Sequence, residues 1–454
     1  MSDNLDVYDT FAAAINATKT ANDASDDRFA AGGFFHLPAA SRKRTATGGS
    51  NPALAGLRVG DIEVSLPITS DTLAALDAVA EAAPCGQGMQ TLVDEAVRRA
   101  QKIDGDQVTL SAPLQRALEE EAQRLAQKRL GVTGGVRASL HQMCLYTPGG
   151  HFAEHRDTEK EAGMFGTMVV QLPTEAGHEG GRLIVRHGDQ RRKFCGPAAP
   201  GAREAVVCAF FADCLHRLTP VTAGRRVVLA FNLVRDGTSS SAAVRGECAA
   251  ARHARKWRER LSRAVEAWTT EGGAQDRLVV PLGHMYTQLS RPMRATDLKG
   301  TDADVARMML GVEGLEVALG WVECTERGVP DGDPGNPNGC QYPRGYDIDD
   351  PEDGFVDYDH QEGVTGPEVD ALGMEDVIDT EWSIKWTSLR DGATRSDHGD
   401  INDESDVLPS ASGDDDYFLG DAVEATYSGY MGNWGPDLTR VYRRLMLELR
   451  PQDV

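Results

Sequence analysis

The alternation of apolar and polar residues divides the chain into a mainly helical N-terminal part, a strand-rich centre and a mixed C-terminal part. Leu57–Leu66 alternates as a strand does, and Thr69 offers an N-cap for a helix that continues through Ala82. Four apolar residues share one face of a further predicted helix, Ala112–Arg129. The remaining predicted helices are Asp6–Ala17, Met89–Gln101, Ala251–Trp268 and Asp302–Leu310.

Short β-rich runs separated by glycine turns fill the region from Val136 to Val234. The runs are SLHQMCLY, FGTMVVQLP, GGRLIVRHG, EAVVCAFFA and RRVVLAFNLV. Several short strands at this spacing predict a β-barrel or β-sandwich. Polar residues interrupt these runs, as expected if one sheet face lines a polar pocket. Beyond this region, Leu278–Leu282 is strand-like, and Leu438–Leu449 is basic and amphipathic.

Charge is distributed unevenly along the 454 residues. The net charge is −23, and residues 331–421 alone carry 26 acidic against 4 basic residues. No broad basic surface is apparent, so a nucleic-acid partner is not expected. No apolar run is long enough to span a membrane, and the N-terminus has no signal-peptide pattern. The eight cysteines are scattered without a CxxC pair, so we expect free thiols in a reducing cytoplasm.

The tripeptide His155-Arg156-Asp157 is the first candidate for chemistry. In a strand, residues two apart point to the same face, so His155 and Asp157 would project together and Arg156 away from them. One imidazole and one carboxylate make two-thirds of a 2-His-1-carboxylate triad. That triad suits Fe(II) because it leaves three coordination positions open, for a bidentate 2-oxo acid and dioxygen.

About sixty residues later, His216 lies at the entrance of a predicted strand and can supply the second imidazole. Ten residues beyond it, Arg226 shares a strand face with apolar residues. A buried arginine beside a metal site needs an anionic partner, which the distal carboxylate of 2-oxoglutarate would provide. Arg225 points to the opposite face, so only one of the two can serve, and parity favours Arg226.

Two other functions compete with an iron site. His151, Glu154 and His155 fit the H-x-x-E-H motif of zinc peptidases, in which a helix brings the two histidines one turn apart. The preceding Pro148-Gly149-Gly150 opposes a long helix, and this interpretation leaves His216 and Arg226 without a role. A catalytically silent binding module with the same fold is the second alternative.

Three segments of the centre resemble the prolyl-4-hydroxylase-like branch of 2-oxoglutarate/Fe(II) oxygenases. These are LYTPGGHFAEHRDTEKEAGMFGTMVVQLP (145–173), GGRLIVRHG (180–188) and AFFADCLHRLTPVTAGRRVVLAFNL (209–233). The family pattern has a tyrosine nine residues before the first histidine, an HxD, a glycine pair before a strand, and a distal H-x-x-x-P-V-x-x-G-x-R. These elements match Tyr146, His155, Asp157, Gly180-Gly181, His216, Pro220, Gly224 and Arg226.

The resemblance implies an α+β protein with a double-stranded β-helix (jelly-roll) core, an N-terminal helical support and a C-terminal α+β region. It also implies that Tyr146 helps to bind 2-oxoglutarate, and that succinate is released as the substrate is hydroxylated. The expected organisation is a flexible N-terminal segment (1–55), a helical support region (56–135), the oxygenase core (136–235), a C-terminal α+β region (236–330), an acidic loop-rich insertion (331–421) and a C-terminal strand/helix segment (422–454).

The motifs do not identify the substrate. The resemblance alone favours a peptide or protein side chain over a small metabolite. The cofactors expected are Fe(II), held by His155, Asp157 and His216, with 2-oxoglutarate and dioxygen as co-substrates.

Overall fold

A computed structural model describes residues 7–23, 29–38, 54–87, 90–195, 204–236, 249–270, 276–286, 293–331, 373–397, 401, 406–408, 419, 422–428 and 437–452. The chain divides into two compact units. The core unit comprises Ala17–Ala254 and Ala295–Val305. The second unit comprises Met1–Asn16, Arg255–Arg294 and Ala306–Val454.

The helices in the described ranges are α1 Val7–Asp23, α2 Ser70–Val79, α3 Ala112–Lys128, α4 Ala249–Thr270 and α5 Gly300–Leu310. The strands are β1 Ala30–His36, β2 Leu54–Val59, β3 Ile62–Ser65, β4 Glu81–Ala82, β5 Cys85–Gln87, β6 Gln90–Leu92, β7 Arg98–Arg99, β8 Gln101–Asp104, β9 Val108–Leu110, β10 Val136–Tyr146, β11 His151–His155, β12 Met164–Leu172, β13 His178–Gly180, β14 Leu183–His187, β15 Gln190–Phe194, β16 Glu204–Phe211, β17 Leu215–Leu218, β18 Val221–Gly224, β19 Arg226–Arg235, β20 Leu278–Pro281, β21 Leu315–Pro330, β22 Met374–Ser388, β23 Thr394–Asp397, β24 Glu424–Ser428 and β25 Asp437–Pro451.

Two antiparallel sheets form the centre of the core unit. The major sheet has the order β1-β16-β12-β19-β10-β8-β4, and the minor sheet has the order β15-β14-β17-β11-β7. Their inner faces contribute to one buried apolar cluster, which includes Cys208 and Phe210 of the major sheet and Val185 and Leu218 of the minor sheet. The prediction of an α+β fold with a double-stranded β-helix core is confirmed.

Helix α3, which precedes β10 in the chain, packs against the major sheet. Ser111 caps its first turn by accepting a hydrogen bond from the Leu114 backbone N–H at 3.4 Å. The predicted apolar face is buried and packs in the same cluster as β10, through Leu114, Leu118, Ala122 and Leu125. Helix α2 begins as predicted, because the Thr69 hydroxyl accepts from the Thr72 N–H at 3.2 Å.

The predicted helix at Met89–Gln101 is wrong. In the described part of that range the chain forms β6, β7 and the first residue of β8. Strand β7 pairs with β11, and β8 pairs with β10. The helix-forming composition of this stretch is overridden by pairing with strands some fifty residues away, which tertiary context often does.

The second unit contains a six-stranded antiparallel sheet of order β20-β25-β21-β22-β23, with β24 also paired to β25. Its core includes Trp386, which packs over Gly320 so closely that a side chain at position 320 would collide with the indole. Strands β22 and β23 lie within the range 331–421, which the sequence predicts to be rich in loops. A strand forms at β22 because its alternate apolar residues turn towards this core. Residues 332–372 lie outside the described residues, and the predicted domain boundaries remain predictions.

Five cysteines within the described ranges are free thiols. Cys144, Cys208, Cys214 and Cys324 are buried, whereas Cys195 is exposed. No helix within the described ranges has the length and apolar character needed to cross a bilayer.

Candidate active site

Two neighbouring strands of the minor sheet bring the predicted ligands together. Strands β11 and β17 are antiparallel, and His155 lies directly opposite His216. Asp157 follows two residues after His155, and its backbone N–H donates to the Ala212 carbonyl at 3.0 Å. The pairing of β11 with β17 therefore brings His155 to His216, and the two-residue spacing brings Asp157 to the same place.

The three side chains form a compact ligand set. Asp157 Oδ1 lies 3.6 Å from His216 Nε2 and 3.9 Å from His155 Nε2. One ligand atom from each side chain lies within 4.8 Å of the other two. His216 is buried, while His155 and Asp157 are part-exposed, so one side of the set is open. These distances and donor types fit a single metal ion with imidazole and carboxylate ligands.

Backbone carbonyl groups orient both imidazoles. Nδ1 of His155 lies 2.8 Å from the Ala153 carbonyl oxygen, and Nδ1 of His216 lies 3.0 Å from that of Cys214. A carbonyl oxygen only accepts, so each Nδ1 carries the proton and each Nε2 presents its lone pair. Outer hydrogen bonds of this kind are typical of histidines that bind metals.

The local environment also keeps His155 neutral. Burial, followed by the proximity of His216, lowers the pKa of His155 to about 4. A neutral imidazole is the form that binds a metal. Phe152 stacks on the His155 ring with centroids 3.6 Å apart, which fixes the plane of the ring.

Thr167 belongs to this site as well. Its hydroxyl on β12 donates to Asp157 Oδ2 at 2.6 Å, so it occupies one carboxylate oxygen and leaves Oδ1 facing the two imidazoles. From sequence, a pocket-facing position is one interpretation of Thr167, and an ordinary β-forming residue is the favoured one. Only the placement of β12 beside the end of β11 reveals its contact.

The structure does not support a zinc site at His151, Glu154 and His155. The segment is strand β11 rather than a helix, and residues four apart in a strand are about 13 Å apart. Both ring nitrogens of His151 lie 3.0 Å from backbone carbonyl oxygens, of Gly149 and Ala96. Glu154 instead pairs with Arg186 at 3.4 Å.

Tyr146 and Arg226 lie opposite each other in the major sheet, where β10 pairs with β19. The Arg226 guanidinium carbon lies 5.5 Å from the centre of the Tyr146 ring. Arg226 is 4% exposed, and its Nε has no hydrogen-bond partner among the described residues. Burial lowers the pKa of Arg226 and raises the pKa of Tyr146 to about 12.

Arg225 has a different environment. Its guanidinium forms an ion pair with Asp77 of α2 and is part-exposed. Within the described residues, Arg226 has no carboxylate at ion-pair distance. Of the two arginines, Arg226 is therefore the one whose charge is free for a ligand.

The position of His178 in the strand-and-turn region around Gly180-Gly181 predicts an exposed side chain, and that prediction is wrong. His178 is 9% exposed, and neither ring nitrogen has a partner among the described residues. Burial, and then the positive charge of Arg226, lower the pKa of His178 to about 4. The pairing of His178 with Gly224, two residues before Arg226, brings it to this position.

The glycine pair leaves room for Arg226. Gly181 has φ of +58°, and a Cβ there would lie 3.0 Å from Arg226 Cδ and 3.5 Å from His178 Nδ1. The buried arginine and histidine therefore flank a space that only a glycine leaves open. Their unpartnered nitrogens suit a small anionic ligand.

Residues 141–234 match the family model of the 2OG-Fe(II) oxygenase superfamily. This segment belongs to that superfamily. It contains the His-Asp-His set, Tyr146, His178 and Arg226. No curated protein sequence matches the chain.

Solved structures similar to this chain include a 2OG-Fe(II) oxygenase family oxidoreductase from Burkholderia pseudomallei, with 16% identity, a TM-score of 0.25, and coverage of 37% of this chain and 82% of that one. A prolyl-4-hydroxylase from Pseudomonas putida has 18% identity, a TM-score of 0.26, and coverage of 37% and 84%. A prolyl hydroxylase from Trichoplax adhaerens, in complex with a hypoxia inducible factor peptide fragment, has 16% identity, a TM-score of 0.25, and coverage of 36% and 74%.

Proposed function

We propose that the chain is an Fe(II)- and 2-oxoglutarate-dependent dioxygenase that hydroxylates a peptide or protein side chain and releases succinate and CO2. The observation that carries this proposal is the convergence of two Nε2 lone pairs and one carboxylate oxygen within 4.8 Å. The superfamily match over residues 141–234 supports the same chemistry. We further propose a cytoplasmic protein with no nucleic-acid or membrane partner.

His155, Asp157 and His216 would hold the metal from one side. Bound Fe(II) supplies the activation of dioxygen, which is coupled to oxidative decarboxylation of 2-oxoglutarate. The Ala153 and Cys214 carbonyl groups would keep the two imidazoles correctly turned, with each Nε2 towards the metal. Because the three ligands lie on one side, the opposite side is left for co-substrates.

Arg226 and His178 would bind the distal carboxylate of 2-oxoglutarate. An unpaired guanidinium at 4% exposure is unfavourable unless an anion accompanies it. Arg226 can donate two parallel hydrogen bonds to a carboxylate. His178, neutral beside it, can donate one more. Tyr146, whose ring lies next to Arg226, would form the wall of this end of the pocket.

Anaerobic titration tests the metal and co-substrate together. Adding Fe(II) and then 2-oxoglutarate should produce a weak visible absorption from metal-to-ligand charge transfer, and His216→Ala should abolish it. Admitting dioxygen should then release succinate, which a catalytically silent module would not do. Absence of the band in the wild type, with no change in His155→Ala, would show that the proposal is wrong.

The two arginines supply a matched pair of variants. Arg226→Ala should weaken 2-oxoglutarate binding by about 10- to 100-fold, because charge-assisted hydrogen bonds contribute about 1.5–3 kcal/mol. Arg225→Ala should leave it nearly unchanged, since Arg225 is paired with Asp77. The reverse ranking would contradict the assignment of Arg226. The substrate class is tested separately, by succinate release across candidate peptides and metabolites.

A further inference from the structure

The outer face of the minor sheet carries a cluster of basic side chains that the proposed chemistry does not use. Ile184 of β14 is the cross-strand partner of Arg217 in β17 and of Lys193 in β15. Cross-strand partners point to the same face, as do residues two apart. The exposed residues of this face are therefore Arg182, Arg186, Arg191, Lys193 and Arg217, around Ile184.

These side chains line a concave surface, here called the basic groove. One part of it has a volume of about 460 Å³, and an adjoining part has about 350 Å³. Ile184, Arg191 and Arg217 line both parts, so the groove is continuous. Its size is in the range of pockets that hold ligands.

The charge of the groove is largely uncompensated. Arg186 pairs with Glu154 at 3.4 Å, but no described carboxylate lies at ion-pair distance from Arg182, Arg191, Lys193 or Arg217. Like charges on one sheet face repel each other. This concentration of positive charge stands in a chain whose net charge is −23. An anionic ligand would relieve the repulsion.

We propose that the basic groove binds an extended polypeptide segment with acidic residues at alternate positions. Alternate residues of a strand lie about 7 Å apart, so Arg191 and Lys193 along β15 match every second side chain of an extended peptide. Ile184, the cross-strand partner of Lys193, makes the floor of the groove apolar. A nucleic acid fits less well, because its affinity comes mainly from the number of phosphates that are neutralised, and the groove presents four unpaired cations.

The groove also lies next to the candidate metal ligands. Residues His151–Glu154 of β11 form one wall, and Phe152 both lines the groove and stacks on His155. A peptide held there would run beside the strand that ends in His155. The proposal concerns binding alone, so it stands or falls independently of iron and 2-oxoglutarate.

Fluorescence anisotropy with the full-length protein tests the proposal. The probe is a labelled eight-residue peptide of alternating Glu and Ser, compared with the same peptide carrying Gln in place of Glu and with a labelled single-stranded DNA octamer. We expect the Glu peptide to bind at least about tenfold more tightly than the Gln peptide at low salt, and its affinity to fall as salt is raised.

Charge reversal within the groove should remove this preference. Lys193→Glu/Arg217→Glu should weaken binding of the Glu peptide by about tenfold or more. The matched control, Arg116→Glu/Lys128→Glu, makes the same change in net charge on exposed positions of α3 and should change affinity by less than about twofold. Arg191→Gln, a milder variant, keeps the test valid if the double reversal does not fold.

Three results would overturn the proposal. The first is equal binding of the Glu and Gln peptides by the wild type. The second is an equal loss of affinity in the groove and α3 variants, which would indicate an effect of net charge alone. The third is tighter binding of the DNA octamer than of the Glu peptide, which would assign the groove to a nucleic acid.

Discussion

Replacing Gly181 with alanine tests whether the glycine pair exists to make room for Arg226. The new Cβ would lie 2.9 Å from Val221 Cγ2 and 3.0 Å from Arg226 Cδ. Ordinary carbon contacts are about 3.5–4.0 Å, so the arginine or the valine must move by about 0.5 Å or more. The residue also has φ of +58°, which an alanine adopts at a penalty of about 1–2 kcal/mol.

The two effects have different consequences. Backbone strain and overpacking together should lower the free energy of unfolding by about 2–5 kcal/mol. The displacement of Arg226 should weaken 2-oxoglutarate binding by about tenfold or more, because a bidentate contact depends on the position of the guanidinium. Urea unfolding measures the first effect, and anaerobic titration of the Fe(II) protein measures the second.

Gly60 is the matched control. It has a similar φ of +54°, and its Cβ would meet no atom within 4 Å. Gly60→Ala should therefore lose about 1–2 kcal/mol of stability and bind 2-oxoglutarate as the wild type does. If Gly181→Ala binds 2-oxoglutarate normally, or if both variants lose affinity equally, the glycine does not act through Arg226.

Three further predictions follow from the site and the core. Thr167→Val removes the 2.6 Å hydrogen bond to Asp157, and it should weaken Fe(II) binding by about tenfold in a metal titration, while Thr167→Ser restores it; equal affinities would refute the contact. In the metal-free protein, His155 and His178 have pKa values of about 4 against an ordinary 6.5, so the unfolded chain binds more protons as pH falls. The free energy of unfolding should thus fall between pH 6.5 and 4, by up to about 3 kcal/mol per histidine; His178→Gln should flatten the urea-unfolding profile, and an unchanged profile would contradict the burial argument. Leu118→Ala in α3 should lower stability by about 2–5 kcal/mol and leave 2-oxoglutarate affinity intact, because Leu118 is 1% exposed in the core cluster; a smaller loss in urea unfolding would show that α3 packs loosely.

Local patterns were sufficient for much of the fold. The apolar face of α3 and the N-cap at Thr69 follow from contacts within a few residues, and the structure agrees with them. Where the outcome depends on distant strands, the pattern misleads. The stretch Met89–Gln101 has helical composition, but its described residues contribute to strands. Of these strands, β7 pairs with β11 and β8 pairs with β10.

For the site, the sequence by itself determined the side chains that can bind metal and their spacing. Strand parity joined His155 to Asp157, and the resemblance joined both to His216. Tertiary structure decided the rest: that His155 faces His216 across β11 and β17, that Thr167 holds Asp157, and that His178 lies buried beside Arg226. It also gathered the arginines of three strands into one groove. Side-chain direction along a strand repeats every two residues and can be read locally, whereas sheet order and register are set by long-range pairing that no short segment encodes.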